Sequence, residues 1–188
     1  MPARRSPVPP IRIRRAAAAD IPALYAMMKA LARHVGSQGL LTTPAALARD
    51  GTGARARFWA LIAEADGRPI GYVSFARGYS IWRGRDRLLL DDLYVDARWR
   101  SRGVGLLLMQ AVARIAARRG ADVKWEVGGD NRRAIAFYRR LGAGVTFKGL
   151  CRWPAEAAAA AAGRTAPARA RTKPRRLRSH TSSAAGSR

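Results

Sequence analysis

The stretch from Arg87 to Gly105, RLLLDDLYVDARWRSRGVG, decides the fold. Its first part, Arg87–Val95, is largely apolar and is typical of a long β-strand. Its last six residues, Arg100–Gly105, form a glycine-rich turn that opens a helix predicted over Gly103–Arg119. A helix N-terminus offers unpaired backbone N–H groups and the positive end of the helix dipole. The pattern predicts a phosphate site at this turn, although a glycine-rich corner without a ligand fits it equally well.

Glycine and arginine have separate tasks in a phosphate-binding turn. Gly103 and Gly105 remove side chains where the backbone must approach phosphate oxygens, and Arg100 and Arg102 add charge-assisted contacts. The turn is not a P-loop, because no Gly-Lys-Ser/Thr follows it. It does not complete a dinucleotide fingerprint either, since Leu108 stands where the third glycine belongs.

Hydrophobic spacing predicts the elements on both sides of this turn. The predicted strands are Ile11–Arg15, Phe58–Ala65, Ile70–Ala76, Val123–Val127 and a closing strand or pair over Val145–Trp153; the further predicted helices are one that Asp20 caps, one around Ala45–Arg49 and one over Asn131–Leu141. Asp66-Gly67 indicates a hairpin turn. Because helices and strands alternate only in the second half, we expect an α/β fold with a mixed central sheet flanked by helices.

Charge is the unusual feature of the composition. The chain has 36 Lys and Arg against 12 Asp and Glu, a formal net charge of +24. Such a balance predicts attraction to nucleic acid, anionic lipid or acidic ligands, but it does not indicate a fold. Residues 1–10 are proline-rich and predict a flexible arm, residues 11–153 the folded domain, and residues 154–188 a disordered basic tail.

Several classes of site and location are disfavoured by the sequence. Cys151 is the only cysteine, and His34 and His180 lie far apart, so we expect neither an internal disulfide nor a metal site. The N-terminus lacks the apolar core of a secretory signal, and no run of about 18 apolar residues could span a membrane. These features predict a cytoplasmic protein without a membrane partner.

Two motifs together resemble those of the GNAT acetyltransferases. Arg100–Gly105 resembles their pyrophosphate-binding motif A, and Asp130–Ala143, DNRRAIAFYRRLGA, is similar to their motif B, N-x-x-A-x-x-F-Y-x-x-x-G. The motifs occur in the family's order and at its usual separation, and the resemblance covers residues 11–153. Ile13–Asp20, Asp50–Gly53 and Leu90–Val95 look most like the diamine branch, which includes spermidine/spermine and thialysine acetyltransferases.

The resemblance implies that acetyl-CoA is the co-substrate, with no metal. In GNAT folds the strand before motif A and the next strand splay apart, and the pantetheine arm inserts between them. By resemblance the cofactor residues are Leu93 and Val95 for the arm, Arg100, Ser101, Arg102, Gly103, Val104 and Gly105 for the pyrophosphate, and Asn131 and Ala134 of motif B.

The resemblance also implies catalytic residues for acetyl transfer to an amine. Tyr138 resembles the family's general acid; a phenol with a pKa of about 10 is protonated at neutral pH and can donate to the leaving thiolate. Asp91 matches the position of a glutamate proposed as base in the diamine branch; aspartate is one methylene shorter and would act through a water, and a solvated or salt-bridged carboxylate is the alternative. Successive strand residues point to opposite faces, so only one of Asp91 and Asp92 is expected to face the substrate. Asp92 is a candidate substrate contact, or else it orients a loop or pairs with an arginine.

Two further residues are candidate amine contacts by resemblance. Trp82 corresponds to an aromatic that lines the amine site, and its alternative is a loop tryptophan folded over the hydrophobic edge. His34 lies where the branch has a tyrosine, and its alternative is an ordinary histidine at a helix end. Val35 and Ser80 stand where the branch has acids, so a polyamine is doubtful. A small amine, an amino acid or a protein amino group fits better.

A competing hypothesis makes the chain a nucleic-acid-associated protein with a subordinate or inactive GNAT domain. It depends on the arginine cluster in Arg164–Arg178, whose phosphate contacts would be sequence-independent, weak and salt-sensitive. A solubilising extension is the alternative role for that segment. A homodimer is expected by resemblance to the diamine branch alone.

Overall fold

The computed structural model describes residues 9–37 and 39–162, and five of its strands form one sheet. The chain divides into two units, Met1–Ala143 and Gly144–Arg188. The first unit contains β1 (Ile11–Arg15), α1 (Ile21–His34), α2 (Pro44–Gly51), β2 (Phe58–Ala65), β3 (Arg68–Ser80), β4 (Arg85–Val95), α3 (Val104–Arg118), β5 (Asp122–Lys124) and α4 (Arg132–Arg140); the second contains α5 (Ala155–Ala162).

The mixed sheet predicted from the sequence is confirmed. Its strands lie in the order β1-β2-β3-β4-β5, antiparallel as far as β4, and β5 pairs parallel to β4. The hairpin between β2 and β3 turns at Asp66 and Gly67, both with positive φ, 47° and 71°. A parallel pair needs a crossover connection, and α3 supplies it between β4 and β5.

The two faces of the sheet carry separate hydrophobic cores. On one face Leu88 of β4 packs with Leu108 and Val112 of α3. On the other face Leu24 of α1 packs with Ile62 and Tyr72. The strands are therefore buried on both sides, and a side chain's face decides which helices it meets.

A β-bulge interrupts the pairing of β3 with β4 at the two aspartates. Ser74 pairs with Asp92 and the next residue, Phe75, pairs with Leu90, so Asp91 has no residue opposite it. An extra residue in one strand shifts the alternation of side chains by one position. The shift lies within the stretch Arg87–Gly105 that decides the fold.

The bulge overturns the prediction that Asp91 and Asp92 face opposite ways. Leu88 and Leu90 before it belong to the core on the α3 face, and Leu93 after it packs against the same core. Keeping these leucines on one face leaves both aspartates on the other, toward α1. Strand alternation alone could not reveal this, because the bulge depends on how β3 pairs.

The ends of several elements also differ from expectation. Asp20 does not cap α1 with its side chain; the Asp20 carboxylate accepts hydrogen bonds from the Ala17 amide at 2.7 Å and from the Arg14 guanidinium at 2.7 and 2.8 Å. The strand predicted at 123–127 is shorter, ending at Lys124.

The predicted closing strand over Val145–Trp153 is wrong, because the structure gives these residues neither strand nor helix. An alternating pattern becomes a strand only when a neighbouring edge pairs with it. The tail predicted as disordered instead begins with α5, whose Ala-rich sequence has high helix propensity. Arg164–Arg178, on which the nucleic-acid hypothesis depends, lies outside the described residues. Within the described part of the chain, no helix is both long enough and apolar enough to cross a membrane.

Candidate active site

A cavity of about 320 Å³ opens where β4 and β5 part. The two strands pair only over Arg87–Leu89 and Asp122–Lys124, so beyond these residues they are no longer joined by a ladder. The lining includes Met28, Leu31 and Val35 from α1 and just after it, Leu90–Leu93 of β4, Trp125–Gly128 after β5, and Asn131, Ala134 and Tyr138 at α4. The expected splay of the two strands is therefore present, and the cavity occupies it.

The β4 edge at this cavity has backbone groups that β3 does not use. The Asp96 amide donates to the Ile70 carbonyl at 2.9 Å, and Val95 is paired with Gly71. In an antiparallel ladder the backbone N–H and C=O groups of successive residues point alternately toward and away from the neighbouring strand. Those of Leu93 and Val95 therefore point away from β3. An extended chain could add to this edge as a further strand does.

The turn before α3 has the geometry of an anion site. Gly103 is the N-cap residue with φ 82°, a left-handed conformation that favours glycine, and a Cβ placed there would meet no atom within 4 Å. The first hydrogen bond of the helix runs from the Leu107 amide to the Gly103 carbonyl. The N–H groups of Val104 and Gly105 therefore have no acceptor within the helix. The backbone thus offers donors beside open space.

Arginine side chains stabilise this turn and also give it positive charge. Arg100 donates from Nε to the Val95 carbonyl at 3.0 Å. Arg133 of α4 donates to the Ser101 hydroxyl at 2.9 Å, and the guanidinium of Arg102 lies 5.5 Å from the Trp99 ring centroid. Arg133 was not among the predicted site residues, although its place in the first turn of α4 was readable in the second motif.

Asn131 and Ala134 lie at the cavity because α4 begins there. Asn131 is the N-cap residue, and its Oδ1 accepts a hydrogen bond from the Ala134 amide at 3.0 Å. This bond fixes the side-chain amide of Asn131 at the cavity lining. The cap therefore joins the predicted cofactor residues of the second motif to the start of the helix that carries Tyr138.

Tyr138 brings a buried phenol to the cavity. Its side chain is 8% exposed and packs edge-on to Trp125, with ring centroids 5.0 Å apart. Burial disfavours the phenolate and raises the pKa of Tyr138 above its usual value. The hydroxyl consequently stays protonated through the neutral range and can donate a proton.

Asp91 and Asp92 line the same cavity as a pair of carboxylates. Burial raises the pKa of both side chains, and the Asp91 charge raises the pKa of Asp92 further. The Tyr72 hydroxyl donates to Asp92 Oδ2 at 2.9 Å and favours the ionised form. The partner of Asp92 is thus a tyrosine rather than an arginine.

Glu126 adds a third carboxylate to the lining, and sequence reasoning missed it. It lies two residues beyond the end of β5 at Lys124, and its position in the chain gave no sign that it would share a cavity with Asp91 and Asp92. The parting of β4 and β5 brings the three together. In a chain with net charge +24, this wall is locally acidic.

Trp82 and His34 do not line the cavity within this chain. Trp82 lies in the turn between β3 and β4 and is 100% exposed. His34 is the last residue of α1 and is exposed, whereas its neighbour Val35 contributes to the lining. Their roles as amine contacts stay predictions, as does the homodimer.

Comparison with known proteins agrees with this geometry. The profile of the Acetyltransferase (GNAT) family matches residues 24–143. This chain belongs to the GNAT family. The acetyltransferase is also 31% identical over 143 residues to the thialysine N-epsilon-acetyltransferase of Bos taurus, an alignment that covers 71% of this chain and 84% of that protein. The likeness to the diamine branch noted in the sequence is thereby confirmed.

Solved structures show the same fold. An integron cassette protein from the mobile metagenome of V. cholerae superposes with a TM-score of 0.67 at 20% identity, covering 82% of this acetyltransferase and 98% of that chain. An aminoglycoside acetyltransferase from an uncultured soil metagenomic sample gives a TM-score of 0.65 at 16% identity, covering 77% and 95%. At these identities the likeness concerns the fold.

The enzyme is an acetyl-CoA-dependent N-acetyltransferase, as its family and its named relatives show. Its own residues fit the cofactor. The left-handed Gly103 leaves open space at the start of α3. At the β4 edge the backbone groups of Leu93 and the Val95 amide point away from β3, while the Val95 carbonyl accepts from Arg100. A pyrophosphate and an extended amide-containing arm are the chemical groups that suit these two features.

Proposed function

We propose that this enzyme acetylates a primary amine on a small, positively charged acceptor, such as an amino acid with a side-chain amine. The observation that carries the proposal is the acidic wall of the cavity, which we define as Asp91, Asp92 and Glu126. Carboxylates collected at one site of a strongly basic chain favour a cation and disfavour an anion there. Thialysine, in the name of the cattle relative, is an amino acid of this kind.

The apolar side of the cavity favours a short acceptor over a long polycation. Met28, Leu31 and Val35 give an aliphatic surface opposite the acidic wall, and Val35 stands where a polyamine enzyme would have an acid. An aliphatic chain with one further charged group satisfies both surfaces, because its methylene groups pack on the apolar side chains while its charge meets a carboxylate.

Asp91 serves in this proposal as the proton acceptor. The acceptor amine must lose a proton to attack, and the thioester of acetyl-CoA supplies the acetyl group. Asp91 is exposed on β4, yet its partial desolvation raises the pKa and makes the carboxylate a stronger base than a fully solvated aspartate. Asp91 lies beside Asp92 on the same face of β4, so one carboxylate can take the proton while the other holds a charge.

Tyr138 serves as the proton donor to the departing sulfur. Its hydroxyl is protonated because burial raises its pKa, and α4 presents it to the cavity that contains the acidic wall. Packing against Trp125 fixes the ring, so donation requires no rearrangement of the side chain.

An acceptor panel tests the proposal. Release of free CoA is measured with acetyl-CoA and lysine, ornithine, thialysine, a short diamine, spermidine, alanine, a neutral monoamine and a lysine-containing peptide. We expect kcat/KM to be highest for acceptors with a side-chain or second cationic amine, by on the order of tenfold or more for one good ion pair. Equal or better turnover of the neutral amine would contradict the proposed role of the acidic wall.

A further inference from the structure

Tyr72 contacts Asp92 of the acidic wall from outside the cavity. It lies on β3, is 0% exposed, and is not part of the cavity lining, yet its hydroxyl donates to Asp92 Oδ2 at 2.9 Å. The Tyr72 hydroxyl can therefore act on an acceptor through Asp92 without contacting the acceptor itself.

The hydrogen bond from Tyr72 opposes an electrostatic cost that the β-bulge creates. By placing Asp91 and Asp92 on one face, the bulge brings two carboxylates together in a half-buried site, where like charges and burial both disfavour ionisation. A buried hydroxyl that donates to one of the carboxylates opposes both effects, because a hydrogen bond to the charged form stabilises that form.

We propose that Tyr72 is a positioning residue that holds the Asp92 carboxylate as the anchor for the positive charge of the acceptor, and so sets the preference for cationic amines. The proposal rests on the proposed function above. In this division of roles Asp91 receives the proton from the reacting amine, and Asp92 remains charged to bind the second group.

The groups around Asp92 support this division. Burial raises the pKa of Asp92, the Tyr72 hydrogen bond lowers it, and the Asp91 charge raises it. Glu126 of the acidic wall and Tyr138 line the same cavity as Asp92, and α1 contributes the apolar Met28 and Leu31. Tyr72 is the hydroxyl that donates to the Asp92 carboxylate within the described residues, so its removal should leave Asp92 less able to stay ionised.

The chain offers a matched control for removing this hydroxyl. Tyr94 is a second buried tyrosine of the same core, with its ring centroid 6.1 Å from that of Tyr72. Within residues 9–37 and 39–162, Asp92 accepts its tyrosine hydrogen bond from Tyr72 and not from Tyr94. Tyr72→Phe and Tyr94→Phe therefore delete the same atom from the same core, and only Tyr72→Phe deletes the contact to Asp92.

The first measurement is steady-state kinetics with the best cationic acceptor and with a neutral amine. For Tyr72→Phe we expect KM for the cation to rise roughly tenfold with kcat little changed, the size of effect typical of losing a hydrogen bond to a charged group. Because Asp92 would ionise at higher pH in this variant, the rise of KM on acidification should begin at higher pH. Tyr94→Phe should leave both unchanged. An equal effect on neutral and cationic acceptors, or equal effects of the two variants, would overturn the proposal.

The second measurement does not depend on turnover. Carboxyl-carbon NMR follows the titration of Asp92, whose resonance is assigned by its loss in Asp92→Asn. We expect the Asp92 pKa to be higher in Tyr72→Phe than in the wild type and unchanged in Tyr94→Phe. An unchanged Asp92 titration in folded Tyr72→Phe refutes the role of Tyr72 even if every acceptor is turned over. If the Asp92 titration shifts but the enzyme shows no selectivity for cations, the contact between Tyr72 and Asp92 is supported and the assignment of Asp92 as anchor is overturned.

Discussion

The turn at Arg100–Gly105 and the acidic wall suit opposite charges by different means. The turn is one contiguous, basic segment whose donors are backbone N–H groups at the start of α3. The acidic wall is assembled from β4 and the segment after β5, and its acceptors are side-chain carboxylates, two of which have a raised pKa because of burial. An anion site built on backbone depends on local conformation, whereas a cation site built on side chains depends on which strands meet.

This difference implies that the two regions fail differently when they are altered. A change of backbone conformation or charge at the turn removes the site as a whole, because all its donors belong to one turn. At the acidic wall each carboxylate can be replaced separately, and burial decides how much each replacement matters. The expected effects of substitution decrease from the turn to the exposed Glu126.

Gly103→Asp should have the largest effect. A carboxylate beside the pyrophosphate site opposes a like charge at a cost of several kcal/mol, so acetyl-CoA affinity should fall on the order of 100-fold or more. Isothermal calorimetry on the folded variant measures it. Gly120→Asp is a matched control, because Gly120 also has positive φ (58°) and open space but follows the other end of α3. Undiminished affinity in Gly103→Asp would show that the turn does not hold the cofactor.

Tyr138→Phe tests the proposed proton donor at the cavity. The ring and its packing on Trp125 are kept, so cofactor affinity and acceptor KM should change little. If the phenol protonates the leaving sulfur, kcat should fall on the order of 100-fold, the low end for a general acid because water can partly replace it. Single-turnover kinetics provides the measurement. A wild-type rate of the chemical step would exclude Tyr138 as the acid without excluding acetyl transfer.

Asp91→Asn separates the base from the rest of the acidic wall. Burial raises the Asp91 pKa, so the carboxylate is available only above a higher pH than usual, and kcat/KM should decline as pH falls through that pKa. In the variant kcat should be about 10- to 100-fold lower, and the decline of kcat/KM at low pH (the acidic limb of the pH–rate profile) should disappear. Asp86→Asn, an exposed aspartate of the same strand, is the control. Retention of the acidic limb in Asp91→Asn would assign it to another group.

Glu126→Gln should have the smallest effect. Glu126 is exposed and its attraction for a cation is screened, so KM for a cationic acceptor should rise only a few-fold at low salt and converge with the wild type at high salt. The half-buried Asp92, replaced by Asn, should show a KM increase that persists in salt. Kinetics at two ionic strengths compares the two variants. Equal salt dependence would mean that burial does not distinguish the two carboxylates.

Local sequence was sufficient to predict the turn. Its information lies in consecutive residues: an apolar strand, two glycines, two arginines and the apolar face of α3, predicted over Gly103–Arg119 and observed over Val104–Arg118. A residue at Gly103 must adopt a left-handed conformation, which glycine does at least cost. The second motif was readable for the same reason, since Asn131 caps the helix that carries Tyr138.

The acidic wall could not be predicted as completely, because no local pattern encodes it. Alternation placed Asp91 and Asp92 on opposite faces, and only the pairing of Ser74 and Phe75 with β4 reveals the bulge that puts them on one face. Nothing in the sequence indicated a role for Glu126. Its place in the cavity depends on the separation of β4 and β5 after Leu89 and Lys124. Tyr72 lies within the strand predicted over Ile70–Ala76, but its contact to Asp92 crosses between strands, which the sequence does not show.

The sequence by itself determined the family, the mixed sheet, the glycine-rich turn before α3 and the helix that bears Tyr138, because each depends on residues adjacent in the chain. Tertiary structure decided the face of Asp91, the inclusion of Glu126, the contact of Tyr72 with Asp92 and the exposure of Trp82. These depend on strand register and on where two strands separate. Register is set by the summed packing of both sheet faces, which no short segment of the sequence contains.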